Sequence, residues 1–213
     1  MGFLYIVRHG QTQWNAQGRM QGRLDSSLTE FGVEQTRRLA HWFQDIHFQA
    51  VFSSSAGRAL TTANILGEGR NWEIQPMDTL RETALGPWEG KLKAEIQVLW
   101  PQEVRDYWEN PASLIPLEGM ESFQDLETRC RQALETIMEG RRGQNILVVT
   151  HGVTSSMILN ILENRPWAEI FTQKFKIQTS VSLVDFQNAQ PQIVYRGKTD
   201  HLAITSPPLL HSI

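Results

Sequence analysis

The chain has 213 residues, 40% of them hydrophobic, which is enough to bury a large core within one α/β domain spanning residues 1–213. A formal charge of -3 and a pI near 6.1 provide no broad basic field, which argues against nucleic acid and anionic membranes as partners. The one cysteine, Cys130, excludes an internal disulfide and favours a reducing compartment. The sequence contains neither a signal-peptide pattern nor an apolar run of membrane-spanning length, so we expect a cytoplasmic protein.

The first predicted strand covers residues 3–7, a short apolar run typical of a strand that is buried on both faces. Arg8, His9 and Gly10 follow it directly. Because ligands of open α/β sheets bind beyond the carboxyl ends of the strands, this pattern places a cation and an imidazole where the chemistry of such folds is done. For the tripeptide alone, a solvated strand end with a surface histidine is the alternative.

The next segments alternate between loop, helix and strand. Residues 11–27 are polar and predict an ordered loop, whereas apolar residues at helical spacing predict an amphipathic helix over 28–46. A second strand over 50–53 and a helix over 54–66 follow. Arg58 then lies in the first turn of a helix that begins at a strand end, where backbone N–H groups favour an anion. A solvated surface arginine is the alternative.

The middle of the chain predicts an irregular region. Residues 73–80 form a weak strand and turn, and the glycines and proline that follow place Glu82 in a loop. Residues 92–108 predict short helices interrupted by Pro101. This tryptophan-rich insertion, at about residues 91–120, is interpreted as a small helical cap over a site, although tryptophan is also ordinary packing material.

The last third returns to a regular pattern. Residues 121–139 predict a helix that carries Cys130 on its apolar face, which indicates a core residue and not a nucleophile. Residues 145–150 predict a second buried strand that ends in His151 and Gly152, before a helix over 155–162. The remaining strands and the hairpin loop between them are predicted at residues 180–186, 192–195 and 188–191.

His9, His151, Arg8, Arg58 and Glu82 form a chemically complete set for phosphoryl transfer to histidine. A neutral imidazole is nucleophilic near pH 7, and arginine forks match phosphate oxygens. We expect Arg8, Arg58 and a protonated His151 to depress the pKa of His9. A glutamic acid can protonate the leaving oxygen and then activate water. The sequence therefore predicts a metal-independent reaction without a cofactor, because cationic side chains replace the metal.

The sequence resembles the histidine phosphatase superfamily, also called the phosphoglycerate mutase-like family, along essentially the whole chain. The matching motifs occur in the family's order and comprise residues 4–15, Gly18-Arg19, Gln21-Gly22, Asp25, residues 28–32, Ser53-Ser54, Arg58, residues 61–63, Arg81-Glu82, Gly86, residues 88–90, Glu118-Gly119, Glu121-Ser122, residues 148–152 and His201-Leu202. The fold that this implies is a three-layer α/β/α sandwich around a mostly parallel sheet. It agrees with the predicted alternation of strands and helices.

The resemblance also implies roles for individual residues. His9 corresponds to the histidine that becomes phosphorylated, with its other ring nitrogen held by a backbone carbonyl. Arg8, Arg58 and His151 correspond to the rest of the phosphate pocket, and Glu82 corresponds to the proton donor. Residues expected to bind the substrate are Asn15, Gln21, Gly22 and Gly152.

Three functions remain open at this point. The leading one is a phosphatase acting on small phosphomonoesters; the alternatives are a cofactor-dependent phosphoglycerate mutase and a non-catalytic phosphate-binding relative. Dedicated mutases of the family follow the glutamate with an arginine and a tyrosine, and they carry a longer insertion with paired arginines. In this sequence Glu82 is followed by Thr83 and Ala84, and the insertion contains a single arginine, Arg105, which favours the phosphatase. No G-x-G-x-x-G follows the first strand, which argues against a Rossmann module. Homo-oligomerisation stays open.

Overall fold

The computed structural model describes residues 2–172, 177–188 and 190–203. Within these ranges the strands are β1 (Phe3–Arg8), β2 (Ala50–Ser54), β3 (Ile74–Met77), β4 (Ile146–Thr150), β5 (Val181–Asp185) and β6 (Gln192–Lys198). The α-helices of the same ranges are α1 (Gln13–Gln17), α2 (Glu30–Trp42), α3 (Gly57–Leu66), α4 (Lys93–Leu99), α5 (Pro101–Glu109), α6 (Phe123–Met138) and α7 (Gly152–Leu162). Short 3-10 helices occupy Asp78–Leu80, Gly86–Trp88, Pro111–Ser113, Trp167–Glu169 and Asp200–Leu202.

The strands form one sheet in the order β3-β2-β4-β1-β5-β6. Neighbours from β3 to β1 pair in parallel, whereas β5 pairs antiparallel with both β1 and β6. The prediction of a mostly parallel sheet is confirmed. This order places β1 and β4, the two strands that end in His-Gly, side by side at the centre.

Helices cover both faces of the sheet, as a three-layer sandwich requires. Because successive side chains of a strand point to opposite faces, Leu4 and Ile6 pack into one core with α6 and α7, and Tyr5 and Val7 pack into another with α2 and α3. All four of these β1 side chains are buried. The continuous apolar run at the start of the chain is therefore explained by a strand covered on both sides.

The insertion packs against the main body through aromatic rings. The ring of Tyr107, on α5, lies with its centroid 5.2 to 5.4 Å from those of Trp88, Phe123 and Phe171. Such edge-to-face and tilted pairs stabilise packing beyond the area that they bury. The insertion is consequently fixed to the body of the protein, above the carboxyl ends of the strands.

Several predicted boundaries are wrong. The loop predicted over 11–27 contains α1, and α7 begins at Gly152 and not at 155. The last strand, β6, continues to Lys198, three residues beyond its predicted end. The predicted hairpin loop includes residue 189, which lies outside the described residues.

The described helices are short, and α6 has 16 residues. None of those in the described ranges is both long and apolar enough to cross a membrane. Cys130 lies on the buried face of α6, where burial raises the pKa of its thiol to about 12. A thiol in that state is not a nucleophile at neutral pH, so the interpretation of Cys130 as a core residue is confirmed.

Candidate active site

Two neighbouring strand ends bring the histidines together. His9 follows β1 and His151 follows β4, and the backbone N–H of His9 donates to the carbonyl of Thr150 at 3.0 Å, which extends the pairing of these strands. The centroids of the two imidazole rings lie 5.2 Å apart. The carboxyl edge of the sheet therefore creates a pair of buried histidines, 3% and 0% exposed.

The ring of His9 is held in one tautomer. Its Nδ1 lies 2.7 Å from the carbonyl oxygen of Gly10. Because a carbonyl can only accept, Nδ1 carries the hydrogen and Nε2 keeps its lone pair. Burial, with the charges of Arg58 and Arg8, lowers the pKa of His9 well below 6.5. Nε2 of His9, which corresponds to the nucleophile of the family, is thus unprotonated at neutral pH.

His151 is neutral in the free site, so the expectation of a protonated His151 is wrong there. Its Nε2 lies 2.8 Å from the hydroxyl oxygen of Ser54, at the end of β2. Burial lowers the pKa of His151 well below 6.5, and the charges of Arg58 and Arg8 lower it further. Its buried Nδ1 has no hydrogen-bond partner among the described residues. A neutral His151 contributes little to the low pKa of His9, which follows from burial and the arginines.

Arg58 is fixed by the loop that precedes α2. From the first turn of α3, its Nη1 donates at 2.8 Å to both the Leu24 carbonyl and the Asp25 carboxylate, and its Nη2 donates at 2.9 Å to the Gly22 carbonyl. The side chain is 1% exposed. Arginine immobilised in this way presents its charge without further loss of side-chain entropy. Gly22 therefore contacts Arg58 through its backbone.

Glu82 caps α7 from outside the helix. Its Oε1 accepts the backbone N–H of Thr154 at 3.0 Å, and its Oε2 accepts that of Val153 at 3.1 Å. These N–H groups lack partners within the helix because they belong to its first turn. A Cβ atom at Gly152 would lie 3.5 Å from Arg8 Cζ and 3.7 Å from Glu82 Oε2. A Cβ atom at this position would therefore make ordinary van der Waals contacts with a cation and a carboxylate.

A cavity of about 480 Å³ unites these groups. Its polar end is lined by Arg8, His9, Arg58, Glu82 and Gly152. Its other walls are mixed. The apolar residues are Met20, Leu85, Trp88, Ile96, Val104, Trp108, Val153 and Phe171, and the polar ones are Asn15, Arg19, Gln21, Lys93, Gln97, Ser156 and Gln178. His151 lies behind the lining, against His9. The geometry is that of a buried anion site that opens into a pocket with both apolar and polar walls.

The loop after β1 supplies two amide side chains. Asn15 Oδ1 accepts the backbone N–H of Thr12, so Asn15 keeps its Nδ2 group for a ligand. Gln21 donates from Nε2 to Thr12 Oγ1 at 2.7 Å and accepts from Ser26 at Oε1. Both residues line the cavity, yet the amide of Gln21 is engaged in holding the loop.

Glu89, the second carboxylate of this region, is engaged elsewhere. Its Oε1 accepts the backbone N–H of Arg23 at 2.8 Å and that of Leu85 at 2.9 Å, and it does not line the cavity. It therefore connects the loop that holds Arg58 to the loop that carries Glu82. Within the described part of the chain, no group of three or more His, Cys, Asp or Glu side chains is arranged to hold a metal ion.

Residues 4–199 match the family model described as "Histidine phosphatase superfamily (branch 1)". The chain belongs to the histidine phosphatase superfamily. The resemblance seen in the sequence and the fold class are thereby confirmed.

The proteins that are similar to this chain are named as mutases, as phosphatases or without an activity. "Probable phosphoglycerate mutase GpmB" of Salmonella choleraesuis (strain SC-B67) is 32% identical over 191 residues, which cover 88% of this chain and 86% of the relative. The structure "Bacillus stearothermophilus YhfR" has a TM-score of 0.89 at 33% identity, covering 95% of this chain and 100% of that one. A mycobacterial glucosyl-3-phosphoglycerate phosphatase has a TM-score of 0.83 at 27% identity, covering 93% and 100%.

Five polar residues line the cavity without having been predicted to do so: Arg19, Lys93, Gln97, Ser156 and Gln178. Arg19 donates from Nη1 to the Gly90 carbonyl at 2.8 Å, and its place in a matched family motif was a usable signal. Lys93 is exposed at the start of α4, and Gln178 precedes β5. Their approach depends on contacts between distant parts of the chain, for which the sequence held no local signal.

Proposed function

We propose that this chain hydrolyses small phosphomonoesters through a phosphohistidine on Nε2 of His9. The observation that carries the proposal is the state of that ring, whose bare Nε2 is buried beside Arg8 and Arg58 in a cavity that also holds Glu82. In the first step Nε2 bonds to phosphorus while the ester P–O bond breaks, and Glu82 in its acid form protonates the leaving alkoxide. In the second step Glu82 takes a proton from water, and the water oxygen bonds to phosphorus while the bond between phosphorus and Nε2 of His9 breaks, which releases phosphate and free His9.

The cationic groups in this proposal stabilise the phosphoryl oxygens. Arg58 is held in place before substrate arrives, which is the preorganisation that electrostatic catalysis needs. His151 places an unpartnered Nδ1 in the buried site, and a phosphate dianion favours its protonated form by Coulomb attraction. The reaction needs no divalent metal in this scheme, because arginine and histidine supply the positive charge.

The apolar part of the cavity wall favours substrates whose alcohol carries an aromatic or aliphatic group. Trp108 and Val104 on α5, with Ile96 on α4, come from the insertion and face the same cavity as the phosphate site. Burying apolar surface contributes about 25 cal/mol per Å², so about 100 Å² of alcohol surface would improve binding by roughly 2.5 kcal/mol. We therefore propose that arylalkyl and alkyl phosphates are better substrates than small, strongly polar ones.

Mutase activity is the second candidate, because relatives 32% identical are named as probable phosphoglycerate mutases. Arg19 and Lys93 line the cavity and could attract the carboxylate of phosphoglycerate. Against this candidate, the cavity wall just after Glu82 is the apolar Leu85, and Arg105 on the insertion is exposed and outside the lining. Hydrolysis therefore has the stronger support.

The test offers the protein 3-phosphoglycerate with and without 2,3-bisphosphoglycerate, and separately a panel of aryl, alkyl and sugar phosphates. Released phosphate and 2-phosphoglycerate are measured in the same reactions. Phosphate release from the apolar esters, exceeding isomerisation, is the expected result. Isomerisation that depends on the bisphosphate and outruns hydrolysis many-fold would refute the proposal.

We also propose the cytoplasm as the location of the protein, since a single free thiol suits a reducing compartment.

A further inference from the structure

The motif at residues 201–202 contains a buried histidine, His201, that has no role in the proposed reaction. His201 lies in the 3-10 helix Asp200–Leu202 and is 1% exposed. Its ring lies beside Trp42 of α2, with the centroids 6.3 Å apart, and its Nε2 lies 3.0 Å from the hydroxyl oxygen of Thr179. A buried imidazole with a specific partner so close to the nucleophile's strand calls for an explanation.

The direction of the bond between His201 and Thr179 follows from the other bond of the hydroxyl. Thr179 Oγ1 lies 2.7 Å from the carbonyl oxygen of Gln178, which can only accept. The hydroxyl proton is therefore used there, and the oxygen accepts from His201. His201 consequently carries its hydrogen on Nε2 and acts as the donor.

Thr179 is held in an unusual backbone conformation. Its φ of 57° lies in the left-handed region, which a β-branched residue rarely adopts. Such a conformation persists only where the surroundings determine it. The hydrogen bond between the Thr179 side chain and His201 and the complete burial of Thr179 both help to hold this conformation.

The backbone of Thr179 contacts the backbone of Arg8 and His9. Its N–H donates to the carbonyl of Arg8 at 3.0 Å and lies 3.3 Å from that of His9. The next residue, Ser180, accepts the N–H of Arg8 through its carbonyl at 3.2 Å. The turn before β5 thus holds the chain at the point where it leaves β1 and delivers His9, and the preceding Gln178 lines the cavity.

We infer that His201 is a positioning residue that fixes the backbone of Arg8 and His9 through the hydroxyl of Thr179. The inference rests on the proposed function for its kinetic readout, and on the ring of His9 for an independent one. Removal of the donor releases the strained turn, so the carbonyls of Arg8 and His9 lose a fixed partner. The nucleophile is then less often aligned with phosphorus, and a misplacement of about 1 Å can cost roughly 100-fold in rate.

The experiment compares His201→Ala, His201→Gln, Thr179→Val and the double variant His201→Ala/Thr179→Val. Valine keeps the branched shape of threonine and removes the hydroxyl, and glutamine offers an N–H donor at a similar reach. The exposed His41, changed to alanine, is the matched control. The kcat and KM for an aryl phosphate are measured well below each variant's unfolding temperature, together with the ring nitrogen resonances of His9 by NMR.

We expect His201→Ala and Thr179→Val each to lower kcat by about 10- to 100-fold, with KM changed by less than about threefold. The kcat of the double variant should fall no further than that of the worse single variant, because each single substitution removes the same hydrogen bond between His201 and Thr179. His201→Gln should recover most of the activity, and His41→Ala should match the wild type. The His9 resonances should shift in Thr179→Val.

Losses that multiply in the double variant, or a kcat within about twofold of wild type in Thr179→Val, would overturn the inference. The second criterion stands even where His201→Ala fails to fold. If the wild type releases no phosphate from any ester, the proposed function fails, and the His9 resonances decide the positioning role alone. Unchanged resonances in Thr179→Val would then reject it.

Discussion

Burial of His201 makes the stability of the fold depend on pH in a way that one substitution can isolate. Burial lowers the pKa of His201 from 6.5 to about 4. At pH 8 the imidazole is neutral in both the folded and the unfolded chain, so it contributes no pH-dependent term. At pH 5 it is mostly protonated in the unfolded chain and mostly neutral in the folded one. The unfolded state therefore binds more protons, and stability falls as the pH falls through this window.

The size of the effect follows from the two pKa values. With 6.5 in the unfolded chain and about 4 in the folded protein, the linkage relation gives a loss of about 2 kcal/mol between pH 8 and pH 5. Below about pH 4 both states are protonated, and His201 costs nothing further. His9 and His151 also have lowered pKa values and add their own losses, but these remain in a variant that changes only His201.

The assay is urea unfolding of the wild type and of His201→Gln at pH 8, 7, 6 and 5. The wild type should lose about 2 kcal/mol more than the variant between the two extremes. His41→Gln, which removes an exposed histidine, should follow the wild type at every pH. Parallel pH profiles for the wild type and His201→Gln would show that His201 is not buried in its neutral form, and would refute the reasoning.

Three further predictions concern the reaction. His9→Gln should lose phosphatase activity by about 10⁴-fold or more and take up no acid-labile phosphate from substrate, a result checked by rapid acid quench; near-normal turnover would exclude the covalent step. Glu82→Gln should slow alkyl phosphates far more than nitrophenyl phosphate, because only the poor leaving group needs the proton; equal losses in steady-state assays would remove Glu82 as the acid. Dialysis against EDTA should leave kcat unchanged, and a loss that magnesium restores would contradict the metal-free scheme.

The sequence predicted the phosphate end of the site far better than the other end. Arg8 ends β1, and His9 and His151 directly follow buried strands, so the alternation of apolar runs and charges located them at one sheet edge. The tautomer of His9 was implied by the resemblance to the family and not by the local pattern, and the 2.7 Å contact between Nδ1 and the Gly10 carbonyl agrees with it. The positions at the strand ends are local in the chain, which is why a single sequence predicts them.

The missed features depend on contacts between distant segments. The start of α7 was predicted three residues late, because Gly152, Val153 and Thr154 have poor helix propensity and their first turn is capped by Glu82 from another loop. The helix α1 was missed because it has five residues, although Thr12 with Asn15 forms a capping box. The charge of His151 was predicted wrongly because burial was not visible from its strand end.

The two ends of the cavity belong to parts of the fold that differ in how freely they can change. The histidines leave the two central strands of the sheet, so their backbone opens only when the sheet itself unfolds, and amide exchange there should report global stability. Part of the wall that would surround the alcohol comes from α4 and α5, through Ile96, Val104 and Trp108, and these helices lie outside the sheet. Under the proposed function, substitutions in these two helices would change which alcohol fits and would leave the phosphoryl chemistry unchanged. Substrate choice can therefore drift during evolution while the histidine pair stays tied to the requirement that the protein folds.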